Sequence, residues 1–207
     1  GGEYLLSSTV VLQVKGVSIR SNATFGHAHL SCAQRGYPAI SLDVIGSVVV
    51  DSLTFSDCSS GIFTTGTGLI GDLLLKDLKM SGMSNSAIQF QSDTITSTIQ
   101  NCVFANNSVR TSGGAITAGS STTVTQLFIW NSLFLNNSAW TSGGAIYFLY
   151  GQNFTILNSS FLNNTVNPME PQRVTGGGAI MIREVNYVKF SKCLFEKNFC
   201  NGTSAAL

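Results

Sequence analysis

The chain has 207 residues, of which only 10% are charged, and its eleven basic side chains nearly balance ten acidic ones. This low charge excludes an electrostatic attraction to nucleic acid or to an anionic membrane. Thirteen Phe and an apolar content of 43% exclude intrinsic disorder, and no apolar run approaches the ~18 residues of a membrane-spanning helix. Ser, Thr, Asn and 21 Gly replace the missing charge. This composition is typical of a β-rich, turn-rich extracellular protein.

A short repeat organises the chain. One apolar position, taken as the origin of each copy, recurs at Ile19, Phe55, Met80, Phe104, Phe134, Phe161 and Phe195. Apolar residues also recur five and seven positions before each origin, with Ser97 as the one polar exception. Columns that are two residues apart have the period of a β-strand. We therefore expect a strand before each origin.

A second strand follows each origin, because the apolar pairs Ala115-Ile116, Ala145-Ile146 and Ala179-Ile180 each come after Gly-Gly. A copy this short cannot bury its own apolar face, but copies stacked with parallel pairing between equivalent strands can. We predict an all-β fold, a parallel β-helix of about seven rungs, as a single domain over 1–207. Loops are expected to protrude near 20–35 and 165–176.

Asn residues recur at two further positions of the repeat. They lie three residues after the origin, at Asn107, Asn137, Asn164 and Asn198, and three residues before it, at Asn101, Asn131 and Asn158. We predict that both columns stack as inward ladders of side-chain amides, because neighbouring turns lie ~4.8 Å apart. An antiparallel β-sandwich is the alternative fold, but it gives no reason for Asn columns in register.

The sequence contains seven N-x-S/T sequons, at Asn22, Asn106, Asn136, Asn153, Asn158, Asn163 and Asn201. If the Asn residues three positions after the origin face inwards, then Asn106, Asn136 and Asn163 face outwards. We predict glycans on these three and on Asn22, Asn153 and Asn201, whereas the inward ladder should leave Asn158 unmodified. Seven sequons beside five Cys favour a eukaryotic secretory protein, extracellular or at the cell surface.

The five cysteines indicate structural roles. A disulfide is expected between Cys32, in the first loop, and Cys58, just past an origin, and a second between Cys193 and Cys200, which flank the last turn. Cys102 is then left over as a buried small thiol. The alternative is that all five are free.

The paired signatures Phe-x-x-Asn and Gly-Gly-Ala-Ile, which occur together over about 100–180, resemble the repeats of the chlamydial polymorphic outer membrane proteins. Similar repeats occur in predicted surface proteins of sponges and protists. The resemblance implies a right-handed β-helix that serves in adhesion or surface display. The sequons and cysteines depart from the bacterial pattern and fit a eukaryotic secretory protein better.

Right-handed β-helices also include pectate lyases and polygalacturonases, so a glycan-cleaving enzyme is the alternative function. Such sites need clustered carboxylates, as Ca²⁺ ligands or as an acid/base pair. The nearest candidates are Asp51, Asp57, Asp72 and Asp77, which fall at four different positions of the repeat. We therefore expect no enzymatic activity and no cofactor.

Two other features were weighed as binding sites. His27 and His29 lie on one side of a predicted strand, a spacing that metals use, but no third ligand is evident nearby. Trp130 and Trp140 are of a type that stacks on sugars, although large aromatic residues are also common on β surfaces. Neither feature carries a site assignment, so no metal is expected.

The two ends of the chain fall at one phase of the repeat. The opening segment Gly1-Gly2-Glu3-Tyr4-Leu5 resembles the Gly-Gly-Ala-Ile strand, and the closing segment 204–207 begins nine residues after Phe195, the same offset as Gly113 from Phe104. Unpaired strand edges recruit other chains. We therefore expect end-to-end self-association into a filament, or continuation into more solenoid in a longer precursor. A cell-surface or matrix ligand is the other partner class that fits. Lysines in the final copy oppose this expectation.

Overall fold

The computed structural model of the protein describes residues 3–6, 8, 10–12, 17–20, 28–32, 36–43, 46–65, 70–91, 93–118, 124–167 and 176–201. These residues form β-strands joined by short turns, without a helix, and the strands pair in parallel. A helix long and apolar enough to span a membrane is therefore not found in the described ranges.

The strands are short in most of the coil and become longest near its C-terminal end. In chain order they are β1 (Glu3–Leu6), β2 (Val10–Leu12), β3 (Val17–Arg20), β4 (Ala28–Cys32), β5 (Ile40–Leu42), β6 (Gly46–Asp51), β7 (Leu53–Ser56), β8 (Ile62–Thr64), β9 (Ile70–Lys76), β10 (Lys79–Ser81), β11 (Ile88–Phe90), β12 (Thr94–Gln100), β13 (Val103–Ala105), β14 (Ser108–Val109), β15 (Ile116–Ala118), β16 (Val124–Trp130), β17 (Leu133–Leu135), β18 (Ser138–Ala139), β19 (Ile146–Leu157), β20 (Ser160–Leu162), β21 (Thr165–Val166), β22 (Ile180–Ser191), β23 (Leu194–Glu196) and β24 (Phe199–Cys200).

Sheet A contains one strand from each turn of the coil, in the order β1, β4, β7, β10, β13, β17, β20 and β23. Its registers align the origins of neighbouring turns, so that Phe134 pairs with Phe104 on one side and with Phe161 on the other. This register is the one that the repeat predicts, and it confirms the all-β, parallel solenoid. The eight strands of sheet A are one more than the seven rungs expected from the sequence.

Sheet B contains twelve strands and forms two sides of the coil. One side consists of β2, β5, β8, β11 and β15, of which β5, β11 and β15 begin at the Ile of an Ala-Ile pair, and the other consists of β3, β6, β9, β12 and β16. The long strands β19 and β22 run through both sides and join them. Sheet C is a ladder of the four short strands β14, β18, β21 and β24.

The first turn has a different register from the predicted one. Ile19 pairs with Val50, five residues before an origin, and is therefore not an origin itself. The residue that pairs with Phe55 is Leu30, so β4 lies inside the segment 20–35 that was expected to protrude as a loop. The alignment was wrong because a single apolar residue in a half-buried strand does not reveal its phase. Of the second predicted loop, residues 168–175 lie outside the described ranges.

The origin column forms a stack of Phe rings in the centre of the coil. Phe104, Phe134 and Phe161 are fully buried, and the ring centroids are 4.9 Å apart in the first pair and 4.5 Å in the second. These distances match the ~4.8 Å between neighbouring strands, so rings in register stack face to face. The stack accounts for the recurrence of Phe at one position.

Ser97 interrupts an apolar column, as its sequence position predicts. Its side chain is fully buried, and its hydroxyl has no hydrogen-bond partner among the described residues. A buried polar group without a partner costs free energy. Ser97 is thus a local weakness in the core.

Two corners with a common design bound the strands of sheet A in the C-terminal half. The Ser corner, before the strand, comprises residues 101–102, 131–132, 158–159 and 192–193, and the Asn corner, after the strand, comprises residues 106–107, 136–137, 163–164 and 197–198. The first residue of each pair has a positive φ, between 48° and 56°. Asn tolerates this left-handed conformation better than most residues do.

Candidate functional site

A continuous ladder of amides fills the inside of the Asn corner. The Asn137 Nδ2 donates to Asn164 Oδ1 (3.0 Å) and to the Phe104 backbone carbonyl (3.0 Å). The Asn137 Oδ1 accepts from the Nδ2 and the backbone N–H of Asn107, at 2.9 and 3.3 Å. Asn164 continues the ladder to Asn198. The inward ladder predicted three residues after the origin is therefore confirmed.

The residues beside this ladder carry three of the predicted glycosylation sites. Asn106, Asn136 and Asn163 occupy the positive-φ positions of the Asn corner and are exposed. The Asn136 Nδ2 donates to Asn106 Oδ1 (3.3 Å) in the preceding turn, so neighbouring members of this row are in contact. Their outward orientation is confirmed, and their glycosylation stays a prediction.

The Asn column three residues before the origin is not an inward ladder. Asn101, Asn131 and Asn158 occupy the positive-φ positions of the Ser corner and are exposed. The Asn101 Nδ2 donates to Asp77 Oδ1 (3.0 Å) at the surface. The second ladder was a wrong prediction, because these residues serve to turn the chain and their side chains lie outside. Asn158, expected to be buried and unmodified, is an exposed sequon.

Hydroxyl and thiol groups fill the inside of the Ser corner. The Ser132 Oγ donates to the Trp130 carbonyl (3.0 Å) and accepts from the Cys102 backbone N–H (3.2 Å). Ser159 repeats this pattern with the carbonyl of Leu157 (2.8 Å) and the N–H of Ser132 (3.1 Å). Cys102 is a free, buried thiol in the same column, as predicted. Burial raises the pKa of the Cys102 thiol to about 12.

One of the two predicted disulfides is present. Cys32 and Cys58 are joined, with an S–S distance of 2.04 Å. Cys193 and Cys200 are free, contrary to the expectation that they would close the last turn. Cys193 lies inside the Ser corner and donates to the Ser191 carbonyl (3.4 Å), whereas Cys200 lies beyond the next corner, in sheet C. The two thiols therefore belong to different sides of the coil. Partial burial also raises the pKa of Cys200.

The remaining predicted glycosylation sites lie outside the two corners. Asn153 is half-buried in β19, and its Oδ1 accepts a hydrogen bond from Thr155 Oγ1 (2.8 Å), the hydroxyl of its own sequon. Asn201 follows β24 and is exposed. Asn22 lies outside the described residues. Asn153 and Asn201 therefore have different environments.

The four carboxylates considered for an enzyme site occupy different positions on the coil. Asp51 pairs in register with Lys76, and Asp72 lies four residues before Lys76, so about 13 Å separates their positions along the strand direction. Asp57 follows β7 and Asp77 precedes β10, which are both strands of sheet A, and both residues have a positive φ. This arrangement agrees with their four different repeat positions. That the protein is not an enzyme stays a prediction.

The candidate metal ligands do not form a site in the part of the chain that the structure describes. His29 lies in β4, where its Nε2 is 2.8 Å from Ser56 Oγ. Its predicted companion, His27, falls outside the described residues. Within the described ranges, no group of three or more His, Cys, Asp and Glu could hold a metal ion. The expected independence from metals and cofactors stays a prediction.

A groove lies on the outer face of sheet B. It has a volume of about 380 Å³ and is lined by Thr96, Thr98, Phe128, Ile129, Trp130, Thr155 and Leu157. Leu127 and Ile129 are fully buried, so the alternation of β16 places Phe128 and Trp130 outside. The same alternation in the sequence could have located the groove. Trp140 is not part of it and packs instead under the Arg110 guanidinium, 5.3 Å from its ring centroid.

The last described turn exposes apolar residues whose equivalents in earlier turns are buried. Phe195 stacks on Phe161 with 4.9 Å between ring centroids, yet it is 38% exposed. Phe190 pairs with the fully buried Ile156 and is 41% exposed. At the other end, Tyr4 of β1 is also exposed. The prediction that both ends fall at one phase of the repeat is wrong at the N-terminal end, because Glu3–Leu6 form β1 of sheet A, with Tyr4 in the origin column, and not an Ala-Ile strand of sheet B. Residues 1–2 and 204–207 lie outside the described residues.

Comparison with known proteins identifies a repeat within the chain. The model of the Chlamydia polymorphic membrane protein repeat matches residues 101–119. This stretch begins in the Ser corner, passes through the Asn corner and includes β15, so it covers most of one turn. No curated protein and no solved structure matches the chain. The match confirms that the chain carries a repeat like those of the chlamydial polymorphic membrane proteins.

Proposed function

We propose that the protein is an extracellular or cell-surface solenoid with a structural or adhesive role and without catalytic activity. The observation that supports this most directly is the polymorphic membrane protein repeat at 101–119, set in a coil whose turns stack in register. Such a coil repeats the same outer positions in every turn, so it presents extended, regular surfaces for contact. The dispersed carboxylates described above favour a role without chemistry.

Surface labelling and cell attachment test this role. An antibody against the folded chain should label intact cells, or the material around them, as strongly as permeabilised cells. Beads coated with the folded chain should attach to those cells, and beads coated with the reduced and denatured chain should not. Labelling that appears only after permeabilisation would show that the protein is not at the surface.

The proposal includes N-glycosylation of the exposed sequons. Asn106, Asn136 and Asn163 point outwards from successive turns, and the structure adds Asn158 to the candidates. Turns only ~4.8 Å apart crowd neighbouring glycans, so we expect partial occupancy within the row. Glycopeptide mass spectrometry of the secreted protein measures occupancy directly. A protein without glycan at any sequon would contradict this part of the proposal.

We also propose end-to-end association between copies, in which the N-terminal turn of one copy covers the C-terminal turn of the next. Tyr4 is in register with Leu30 and thus lies in the origin column. If β1 of one copy pairs with β23 of the next copy, sheet A continues from copy to copy. In this pairing, Tyr4 of one copy covers Phe195 of the other. A contact between unlike ends propagates into a fibre.

Light scattering at physiological salt tests the association. We expect the apparent mass to rise with protein concentration, and replacement of Phe195 by Glu to reduce this rise because it places a charge in the contact. Glu196→Gln is the matched control, since it changes a neighbouring exposed side chain without adding charge to the contact. A mass that is independent of concentration in all three proteins would refute the end-to-end model.

A further inference from the structure

The groove on sheet B is lined by two aromatic side chains, Phe128 and Trp130. Phe128 and Trp130 lie side by side on β16, and Trp130 is 39% exposed. Tyr187, in β22 beyond β19 and outside the groove lining, is 54% exposed. Clustered exposed aromatic residues usually mark a surface that something covers. The lining residues carry no charge, so a charged partner is disfavoured.

A sequon adjoins this groove. Asn153 lies in β19, in register with Gln126 of β16 and with Tyr187 of β22. Phe154 and Ile156 are fully buried, so the alternation of β19 places Asn153 and Thr155 on the outer face, where Asn153 is half-buried and Thr155, 8% exposed, lines the groove. Thr155 completes the sequon of Asn153 and holds its Oδ1 by a hydrogen bond of 2.8 Å. The amide is thereby fixed at the rim of the groove, with Nδ2 as the atom that can carry a sugar.

We propose that the groove is occupied by the N-linked glycan of Asn153 from the same chain, an inference that rests on the glycosylation proposed above. In the modification, Asn153 Nδ2 forms a bond to the anomeric carbon of an oligosaccharide carried on a lipid pyrophosphate. The bond between that carbon and the pyrophosphate oxygen breaks, the lipid pyrophosphate leaves, and the amide loses one proton. The first sugars then lie over the aromatic residues.

The distances and the chemistry of the groove fit this occupant. Along the strand, Thr155 lies about 7 Å and Leu157 about 13 Å from Asn153, and β16 lies about 4.8 Å to the side. A short run of linked sugars therefore spans the groove as far as Trp130. A pyranose ring has an apolar face of C–H groups and a polar edge, so it can pack on Phe128 and Trp130 while its hydroxyls reach Thr96, Thr98 or water.

The test compares two sequons in one chain. Asn153 lies beside the groove, and Asn136 lies on the Asn corner, so Asn136→Gln is the matched control for Asn153→Gln. All variants carry Trp140→Phe, which leaves Trp130 as the only tryptophan. They are secreted from cultured animal cells, and occupancy at each sequon is measured by glycopeptide mass spectrometry on the same samples. Acrylamide quenching then measures the accessibility of the Trp130 ring.

We expect the glycan on Asn153 to protect Trp130, so that Asn153→Gln raises the quenching constant at least twofold and Asn136→Gln leaves it unchanged. If Asn153 is unmodified while Asn136 carries a glycan, or if quenching is the same with and without the Asn153 glycan, the groove has another role and the inference is overturned, although the proposed glycosylation survives. If every sequon is bare, both are overturned. Trimming the glycan enzymatically should reproduce the effect of Asn153→Gln.

Discussion

The Ser corner and the Asn corner turn the chain in the same way, but different hydrogen bonds hold them. In the Ser corner, the inward hydroxyl donates to the carbonyl two residues earlier in its own turn and accepts a backbone N–H from the preceding turn. In the Asn corner, the inward amide also donates to the amide of the following turn. Among the inward side chains, those of the Asn corner therefore link successive turns from side chain to side chain, whereas those of the Ser corner bond to the backbone. We expect it to contribute more to stability.

Variation within the chain shows what each position of a corner requires. The positive-φ positions hold Asn in several turns, but equivalent positions hold Ser52, Asp77, Lys192, Asp57, Gly82 and Lys197. The inward position of the Asn corner is Asn in four successive turns, 107, 137, 164 and 198. The first position of each corner thus requires a left-handed backbone conformation and no particular side chain. The second position holds Cys58 and Met83 in the two turns before Asn107, so the corner also forms there without an amide. From Asn107 onwards, the amide adds two N–H donors and a carbonyl acceptor, which a hydroxyl does not provide.

Loss of one amide from the ladder should have the largest effect. Asn137→Ala removes the acceptor for the Asn107 backbone N–H and the donor to the Phe104 carbonyl, in a buried site. At about 1–3 kcal/mol for each buried group left without a partner, we expect a loss of roughly 4 kcal/mol in the free energy of unfolding. Urea denaturation measures it. Asn136→Gly, beside it on the surface, should cost far less, and equal losses would contradict the ladder's importance.

The equivalent change in the Ser corner should cost less. Ser132→Ala leaves the Cys102 backbone N–H without its acceptor, and we expect a loss of roughly 2 kcal/mol. Ser132→Cys is the matched control, because Cys102 and Cys193 already occupy this column and donate to the carbonyl two residues earlier. Urea denaturation should therefore place the Cys variant between the Ala variant and the parent. A loss as large as that of Asn137→Ala would remove the distinction between the corners.

The buried thiol of Cys102 in the Ser corner should make the folded protein less stable at alkaline pH. Burial raises the pKa of Cys102 from its usual 9.0 to about 12, so the folded state keeps a proton that the unfolded state releases from pH 9 upwards. The stabilisation is therefore complete below pH 9 and is lost as the pH rises towards 12. Between pH 8 and pH 10, we expect the parent to lose about 1.4 kcal/mol more than Cys102→Ser. Identical pH profiles for the two proteins would contradict this.

The sequence was sufficient to predict the fold because the solenoid repeats its core in register. Phe104, Phe134 and Phe161 stack because equivalent strands are neighbours, and the same spacing is visible in the sequence. The N-terminal turns were misaligned because their origins are Tyr4 and Leu30 instead of Phe, in a segment without either signature. The spacing of apolar residues gives the length of the repeat. A distinctive residue, such as Phe at the origin, is needed to decide which residue of each copy occupies which position.

The corners were harder to predict, because one residue type serves two purposes. Asn131 and Asn137 recur with equal regularity, yet Asn131 supplies a left-handed backbone and Asn137 supplies hydrogen bonds. The aligned Lys192 and Asp77 do not separate the two columns, because the column of Asn137 likewise contains Cys58 and Met83. Cys193 lies two residues before its origin, as Cys102 does. This position predicts an inward-facing free thiol and not half of a disulfide.

The smallest predicted effect separates the two uses of Asn most directly. Asn131 is exposed with φ of 50°, so Asn131→Ala should cost about 1 kcal/mol through the left-handed backbone alone, and Asn131→Gly should recover most of that loss. At Asn137, which lacks a positive φ, Gly should be no better than Ala, because what is lost there is the amide. Urea denaturation of the four variants gives the Ala-to-Gly difference at each position. A Gly variant that is less stable than the Ala variant at position 131 would mean that its side chain, and not its backbone, supports the Ser corner.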